Sequence, residues 1–204
     1  NDYLKILNRN INFFWVVDPG LFNTAKYIFK KKKIFYGGRI LHIDNIFLKK
    51  KFDQRKLIIH APSNEKTKGT YEVRKIVPKI LNKNKKLELK ILKNLSRDKI
   101  LFNLKKTYIA IDQLYLGSYG IFSLEALKLD VPYVLVNLED FSNIKRLKYK
   151  KMGLIHTNPE SLKSTIENIF KYKPKIDLIS RSKFLNQFKI ENQQILIDRI
   201  INKV

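Results

Sequence analysis

The stretch IAIDQLYLGSYGIFSLEALKLDVPYVLV, residues 109–136, decides the fold. Its opening continues an apolar run, 108–111, that reads as a short strand. A loop carrying Asp112, Gln113, Gly117 and Gly120 follows, then helical spacing over about 121–129, then a second apolar strand from Pro132. Glu125 is the one acidic residue inside that helix, a turn past its start. The first N–H groups of a helix have no partner within it and carry the positive end of its dipole, so a glycine-hinged loop entering a helix is a ready anion site. The N–H groups of Gly120, Ile121 and Phe122 are the expected donors.

The same alternation extends outward on both sides. Residues 57–61 read as an apolar strand, 62–69 (PSNEKTKG) as a loop, and 70–81 as a helix capped by Thr70, with Val73, Ile76, Val77 and Ile80 on one face and a kink at Pro78. A strand over 87–92 and a helix over 97–104, capped by Ser96, complete the first half. Downstream come a polar turn at 137–141, a lysine-rich helix capped by Ser142, a fifth strand at 152–156, and a helix opened by Pro159 and Glu160 that runs to about 172. Residues 180–203 carry the apolar stripe of a final amphipathic helix or helix pair. Strands alternating with helices indicate an α/β fold with a Rossmann-like parallel sheet, whose ligands bind beyond the carboxyl ends of the strands. The loops 62–69 and 112–120 each follow a strand directly and are expected to face one crevice.

The segment also resembles the nucleotide-sugar half of a GT-B glycosyltransferase of the group 1 (family 4) type. Some branches of that family read DQ, then G-aromatic-G, then LEA, and Asp112, Gln113, Gly117, Tyr119, Gly120 and Glu125 fit this variant. The family signature holds two glutamates eight positions apart. Glu125 matches the second, which by resemblance holds the donor ribose, whereas Gly117 stands where the first, facing the transferred sugar, is expected. In the loop 62–69, Asn64, Lys68 and Gly69 fall where the family binds the donor diphosphate, with Lys68 compensating its charge; Glu65 stands where an arginine is usual, which weakens that binding unless Lys66 substitutes for it. The residues around 91–94 would frame the base. The resemblance implies a retaining sugar transfer without a metal, the leaving diphosphate being stabilised by basic residues and a helix start. A nucleotide-diphosphate sugar is then a donor substrate, and no cofactor is expected.

The opening 45 residues are read as the remnant of an N-terminal domain and a crossing segment. FFWVV reads as a strand stopped by Pro19 and Gly20, a helix resumes at Leu21, and 34–43 leads across with Gly37 and Gly38 as hinge. Residues 46–180 form the nucleotide-sugar domain and 181–204 the C-terminal helix. The chain begins at Asn1 without a leader and is read as a piece of a longer protein, cytoplasmic, whose acceptor half is missing and which is inactive alone.

Composition narrows the alternatives. The absence of cysteine excludes disulfides and thiol chemistry, and no apolar run reaches the length of a membrane span. A net charge of +24 would ordinarily suggest nucleic acid or an anionic membrane. Lysine outnumbers arginine 34 to 8 and alanine occurs 4 times, the mark of an A+T-rich genome; phosphate and base readers favour the arginine fork. Nucleic acid is thus disfavoured, while peripheral contact at the inner membrane face is permitted. His42, His60 and His156 are scattered without metal-ligand spacing, and His60, ending a strand, reads as a satisfied near-core residue. Asp112 and Gln113 are as well suited to capping as to ligand contact, and a helix-dipole partner is the bland reading of Glu125. Two alternatives to a transferase stand open: a non-catalytic nucleotide-binding relic, motivated by Gly117 and Glu65, and a basic nucleic-acid-binding module, resting on charge.

Overall fold

The computed structural model describes residues 13–17, 19–36, 40–41, 57–82 and 87–201. The chain divides into two compact units, Asn1–His42 with Asn186–Val204, and Ile43–Leu185. Of the residues 181–204 read as a C-terminal helix, those up to Leu185 fall in the larger unit and the others in the smaller.

In the smaller unit, β1 (Phe13–Val16) and β2 (Lys33–Tyr36) pair in parallel, Phe13 opposite Lys33 and Val16 opposite Tyr36, joined through helix α1 (Pro19–Ile28). Pro19 and Gly20, expected to break structure ahead of the helix, are its first two residues; proline suits a first helical turn, where its missing N–H leaves no bond unmade. The hinge glycines Gly37 and Gly38 and the boundary near 45 lie outside the described residues.

The larger unit holds five parallel strands, β3 (Leu57–His60), β4 (Glu88–Ile91), β5 (Thr107–Ile111), β6 (Tyr133–Val136) and β7 (Leu154–His156), in the order β4-β3-β5-β6-β7. The interior strands β3 and β6, on either side of the central β5, are buried at every position. Strands covered on both faces need continuous apolar sequence, which is what LIIH and YVLV supply apart from His60 and the Tyr133 hydroxyl. The β4 edge carries Glu88 and Lys90 instead, charges that discourage pairing with another chain.

Eight helices are described with these strands: α2 (Glu65–Lys68), α3 (Thr70–Leu81), α4 (Arg97–Leu104), α5 (Ile121–Lys128), α6 (Asn143–Lys151), α7 (Leu162–Tyr172) and, but for its last residue, α8 (Leu178–Asn186) in the larger unit, and α9 (Ile190–Ile201) in the smaller. Val73, Val77 and Ile80 of α3 and Leu162, Ile166 and Ile169 of α7 pack with Ile58, Ile109, Ile111 and Leu135 into one core. Of the three expected caps, one is made by the side chain expected and two are not. Ser142 caps α6, its Oγ accepting the Lys145 N–H at 3.4 Å. Ser96 sits at the N-cap of α4 in extended conformation without a side-chain bond. Thr70 is the first residue of α3, with Gly69 in the cap position, because its hydroxyl is engaged by His60. Within the expected loop 62–69, residues 65–68 coil into the single turn α2.

From β3 the chain goes outward to β4, then returns to β5 on the other side of β3. This reversal opens a crevice between the carboxyl ends of β3 and β5, the place where open α/β sheets bind ligands. The loops 61–69 and 112–120 border it.

Candidate functional site

The crevice is organised around a buried ion pair. Lys68, the last residue of α2, reaches Asp112, the first residue beyond β5, at 2.5 Å (Nζ to Oδ1), and also donates to Gln113 Oε1 at 3.0 Å. The lysine side chain is 12% exposed and the aspartate fully buried. The other carboxylate oxygen of Asp112, Oδ2, accepts the Gly120 N–H at 3.0 Å and the Ser123 hydroxyl at 2.6 Å. Burial by itself would raise the Asp112 pKa, but the Lys68 charge and the hydrogen bonds from Lys68, Ser123 and Gly120 together hold it below its ordinary value. Asp112 is therefore ionised and caps α5. The Gln113 amide donates to the Ser118 carbonyl, pinning the loop, so both residues fill the capping role open to them.

Two glycines lie close against this pair. Gly69 has φ +73°, and a Cβ there would meet the Leu114 side chain at 2.9 Å. At Gly120 a Cβ would stand 3.0 Å from Asp112 Oδ2 and 3.5 Å from Lys68 Nζ, so a side chain would separate the carboxylate from the helix start.

The expected donors of the anion site thus divide. The Gly120 N–H donates to the Asp112 carboxylate. Ile121 and Phe122 follow at the first turn of α5, where N–H groups have no partner within the helix. Asn64 gives its side-chain oxygen to the Thr67 N–H at 3.1 Å and so caps α2. Gly69 closes α2, its N–H directed to the carbonyls of Glu65 and Lys66. Lys68, Gly120, Ile121 and Phe122 are brought together at the α5 start, whereas the side chain of Asn64 and the N–H of Gly69 serve the α2 turn.

Glu125 lies one turn into α5, almost fully buried, and its Oε1 accepts the Arg97 Nε at 2.6 Å. No acidic residue occupies the first turn of α5, so the helix-dipole reading of Glu125 does not hold. Arg97, at the start of α4, was not singled out from sequence; its signal was its place at a helix start after β4, on the same sheet edge. Glu65 does not confront Lys68: its carboxylate is exposed and paired with Lys93 at 3.0 Å and Arg74 at 3.4 Å. Lys66, the proposed substitute, is exposed on α2. At Gly117 a Cβ would lie 2.6 Å from Asp140 Oδ1, so the carboxylate of Asp140 fills the space a side chain at 117 would enter.

His60 links the two strands bordering the crevice. Its Nδ1–H donates to the Ile111 carbonyl and its Nε2 accepts the Thr70 hydroxyl, each at 2.9 Å, and burial pushes its pKa down despite the carbonyl bond. It is a neutral structural residue with both nitrogens satisfied. Tyr119 turns its ring inward, stacked on Phe141 at 5.5 Å and edge-on to Tyr149 and Phe184, which anchors the loop 112–120 to α6 and α8.

No protein-family model and no curated protein matches the chain. Solved structures do. The pneumococcal O-GlcNAc transferase GtfA in complex with UDP and GlcNAc is similar over all of this chain and 48% of its own, with TM-score 0.66 and 12% identity. The GtfA/B complex is similar over the same shares, with TM-score 0.71 and 13% identity. A variant of S. aureus TarM in complex with fondaparinux, alpha-GlcNAc-glycerol and UDP is similar over 98% of this chain and 45% of its own, with TM-score 0.67 and 13% identity. The chain spans about half the length of the structures it matches. At this identity the likeness establishes architecture, and the chain has the α/β fold of the GT-B glycosyltransferases.

Proposed function

We propose that this chain is the donor-binding half of a glycosyltransferase, taking the diphosphate of a nucleotide sugar at the start of α5 and its ribose on Glu125. The observation that carries the reading is the arrival of Lys68 at the start of α5, beside the crevice where the sheet order reverses, with Glu125 one turn further along the same helix. The shared fold with a UDP-bound transferase supports it. An ammonium has three donors, and Asp112 and Gln113 take two of those of Lys68; the third is the one a diphosphate oxygen would accept. As the sugar–phosphate bond breaks, the leaving diphosphate gains charge beside a helix start, where oriented N–H dipoles stabilise it without reorganisation. A buried carboxylate suits paired ribose hydroxyls because it accepts two hydrogen bonds, and Arg97 holds Glu125 Oε1 in place. Transfer itself would take place in a longer protein that supplies the acceptor half.

The test is thermal stabilisation of this chain by UDP, GDP, ADP and their sugar conjugates, in moderate and high salt. A ligand at one hundred times its Kd stabilises by about 2.7 kcal/mol. A selective shift with one nucleoside diphosphate that survives high salt and falls at least tenfold in affinity in Glu125→Gln is expected. Equal, salt-abolished shifts with all anions would overturn the reading.

A non-catalytic nucleotide-binding domain is the second reading. It is favoured by the commitment of Lys68 and the Gly120 N–H to an internal carboxylate, which leaves less positive potential for a diphosphate. In that case the nucleoside diphosphate binds and its sugar conjugate binds no more tightly.

A further inference from the structure

Helix α6 has the sequence NIKRLKYKK: five cations and no acidic residue in nine positions. Its orientation is set by Tyr149, whose ring packs against Phe141 at 5.2 Å and Phe184 at 5.4 Å. At 100° per residue the positions opposite Tyr149 are Ile144, Leu147 and Lys151. The helix therefore turns two aliphatic side chains outward, Ile144 69% and Leu147 63% exposed, with lysines on either side of them. A solvated surface helix places its apolar residues inward, so this arrangement is the reverse of what burial of the core requires.

The segment beyond α6 extends the same character. A groove of about 720 Å³ runs between α6 and α7, lined in part by Leu147, Lys150, Ile169, Tyr172 and Pro174. Tyr172 is 64% exposed, and it lies in KYKPK, residues 171–175, which adds three more lysines and again no acid. Both segments line this groove, and each is fixed nearby: the Asp177 N–H, two residues past the second, donates to the Lys151 carbonyl at 2.8 Å, and the Tyr133 hydroxyl of β6 donates to the Pro174 carbonyl at 3.0 Å.

From this we infer that α6 and residues 171–175 form a docking surface for an anionic phospholipid bilayer, Ile144, Leu147 and Tyr172 entering the interface while the surrounding lysines meet lipid phosphates. Eight cations in two segments that contain no acidic residue provide the charge complementarity, Asp177 beside Lys151 offsetting one of them, and the outward aliphatic pair with a tyrosine provides what a headgroup region accepts and a nucleic-acid backbone does not. Lysine stems also bury their methylenes while the ammonium stays at the phosphate level. None of these residues belongs to the crevice of Lys68 and Glu125, so the surface stands whether or not the chain binds a nucleotide sugar.

Co-sedimentation of this chain with vesicles of phosphatidylglycerol and phosphatidylcholine tests it. Binding to phosphatidylglycerol vesicles and not to pure phosphatidylcholine is expected. Ile144→Gln with Leu147→Gln, exposed positions whose change leaves the charge intact, lowers the partition coefficient about tenfold with an unchanged melting temperature. Lys148→Gln with Lys151→Gln lowers it more, at roughly fivefold per lysine. Lys79→Gln with Lys163→Gln, which removes the same charge from the α3–α7 face, changes it less than twofold. Equal vesicle binding by the Ile144/Leu147 variant and its parent would overturn the inference. So would tighter binding of duplex DNA that is lost in the Lys148/Lys151 variant and kept in the Ile144/Leu147 variant, which would mark a nucleic-acid surface.

Discussion

Replacing Lys68 by methionine isolates the charge on which the crevice is built. The substitution keeps the length and apolar stem of the side chain and removes the ammonium 2.5 Å from Asp112, a carboxylate with no solvent exposure. Breaking a buried pair at one partner leaves the other charge uncompensated and costs about 3–5 kcal/mol. At roughly 2–4 °C per kcal/mol for a domain of this size, melting falls by about 6–20 °C. The pH dependence carries the stronger test. In the parent, Asp112 is held below its unfolded value of about 3.9, so its contribution to stability is complete above that value and is lost as pH falls through the folded one. In Lys68→Met the opposing charge is gone and burial pushes the carboxyl up. The sign reverses: the variant regains stability as acid neutralises the carboxylate, and its deficit relative to the parent narrows between about pH 7 and pH 4.5. Urea unfolding of parent, Lys68→Met, Asp112→Asn and the double variant across that range reads both effects. The double variant should lose less than the sum of the single losses by about 1–3 kcal/mol. A deficit under about 1 kcal/mol, a deficit that does not change with pH, or additive losses in the double variant would refute the buried-pair account.

Three further outcomes follow from the same geometry. Because buried His60 resists protonation, its folded pKa lies below the unfolded value of about 6.5, and its contribution to stability declines as pH falls below that value; His60→Gln should flatten the slope of unfolding free energy between about pH 6.5 and 5, and an unchanged slope would contradict it. Gly117→Ala drives a Cβ to within 2.6 Å of Asp140 Oδ1 and should cost about 1–3 kcal/mol in chemical denaturation, most of it recovered by adding Asp140→Ala; Gly117→Glu should be worse, since it adds like charge to the clash. Tyr119→Ala empties the centre of the ring cluster, at a loss of about 3–5 kcal/mol, with faster hydrogen exchange in residues 112–120.

The elements of the larger unit were legible because its strands are covered on both faces. A buried parallel strand is apolar along nearly its whole length, so the runs 57–61, 108–111 and the one from Pro132 announce strands observed at 57–60, 107–111 and 133–136, and the helix after the first shows the 3.6-residue spacing of Val73, Val77 and Ile80. Ends were less legible, since they depend on where side chains find partners: Thr70 leaves the cap position to Gly69 because a histidine ten residues earlier engages its hydroxyl. The turn α2 was hidden in a loop that is as polar as any other, and its one signal was Asn64 three residues before Thr67, a spacing that caps a helix.

The site was legible in place and not in chemistry. Two loops that each follow a strand in a reversing sheet must meet, so Lys68 and the 112–120 loop were brought together by topology alone. Sequence gave no means to tell which acid the lysine would meet, because the partner lies 44 positions away and any of several carboxylates has the right charge. The same is true of Arg97 with Glu125, 28 positions apart, and of Asp140 against Gly117. These pairings alter the chemistry expected of the crevice. A helix start facing an empty loop would offer its full dipole to an anion; here Asp112 already occupies the Gly120 N–H and neutralises Lys68. What an incoming diphosphate would meet is a preorganised but nearly neutral frame. Its affinity should then rest more on the Ile121 and Phe122 N–H groups and on Glu125 than on bulk charge, so a selective nucleotide should hold through a rise in salt that strips nonspecific anions from the exposed lysines.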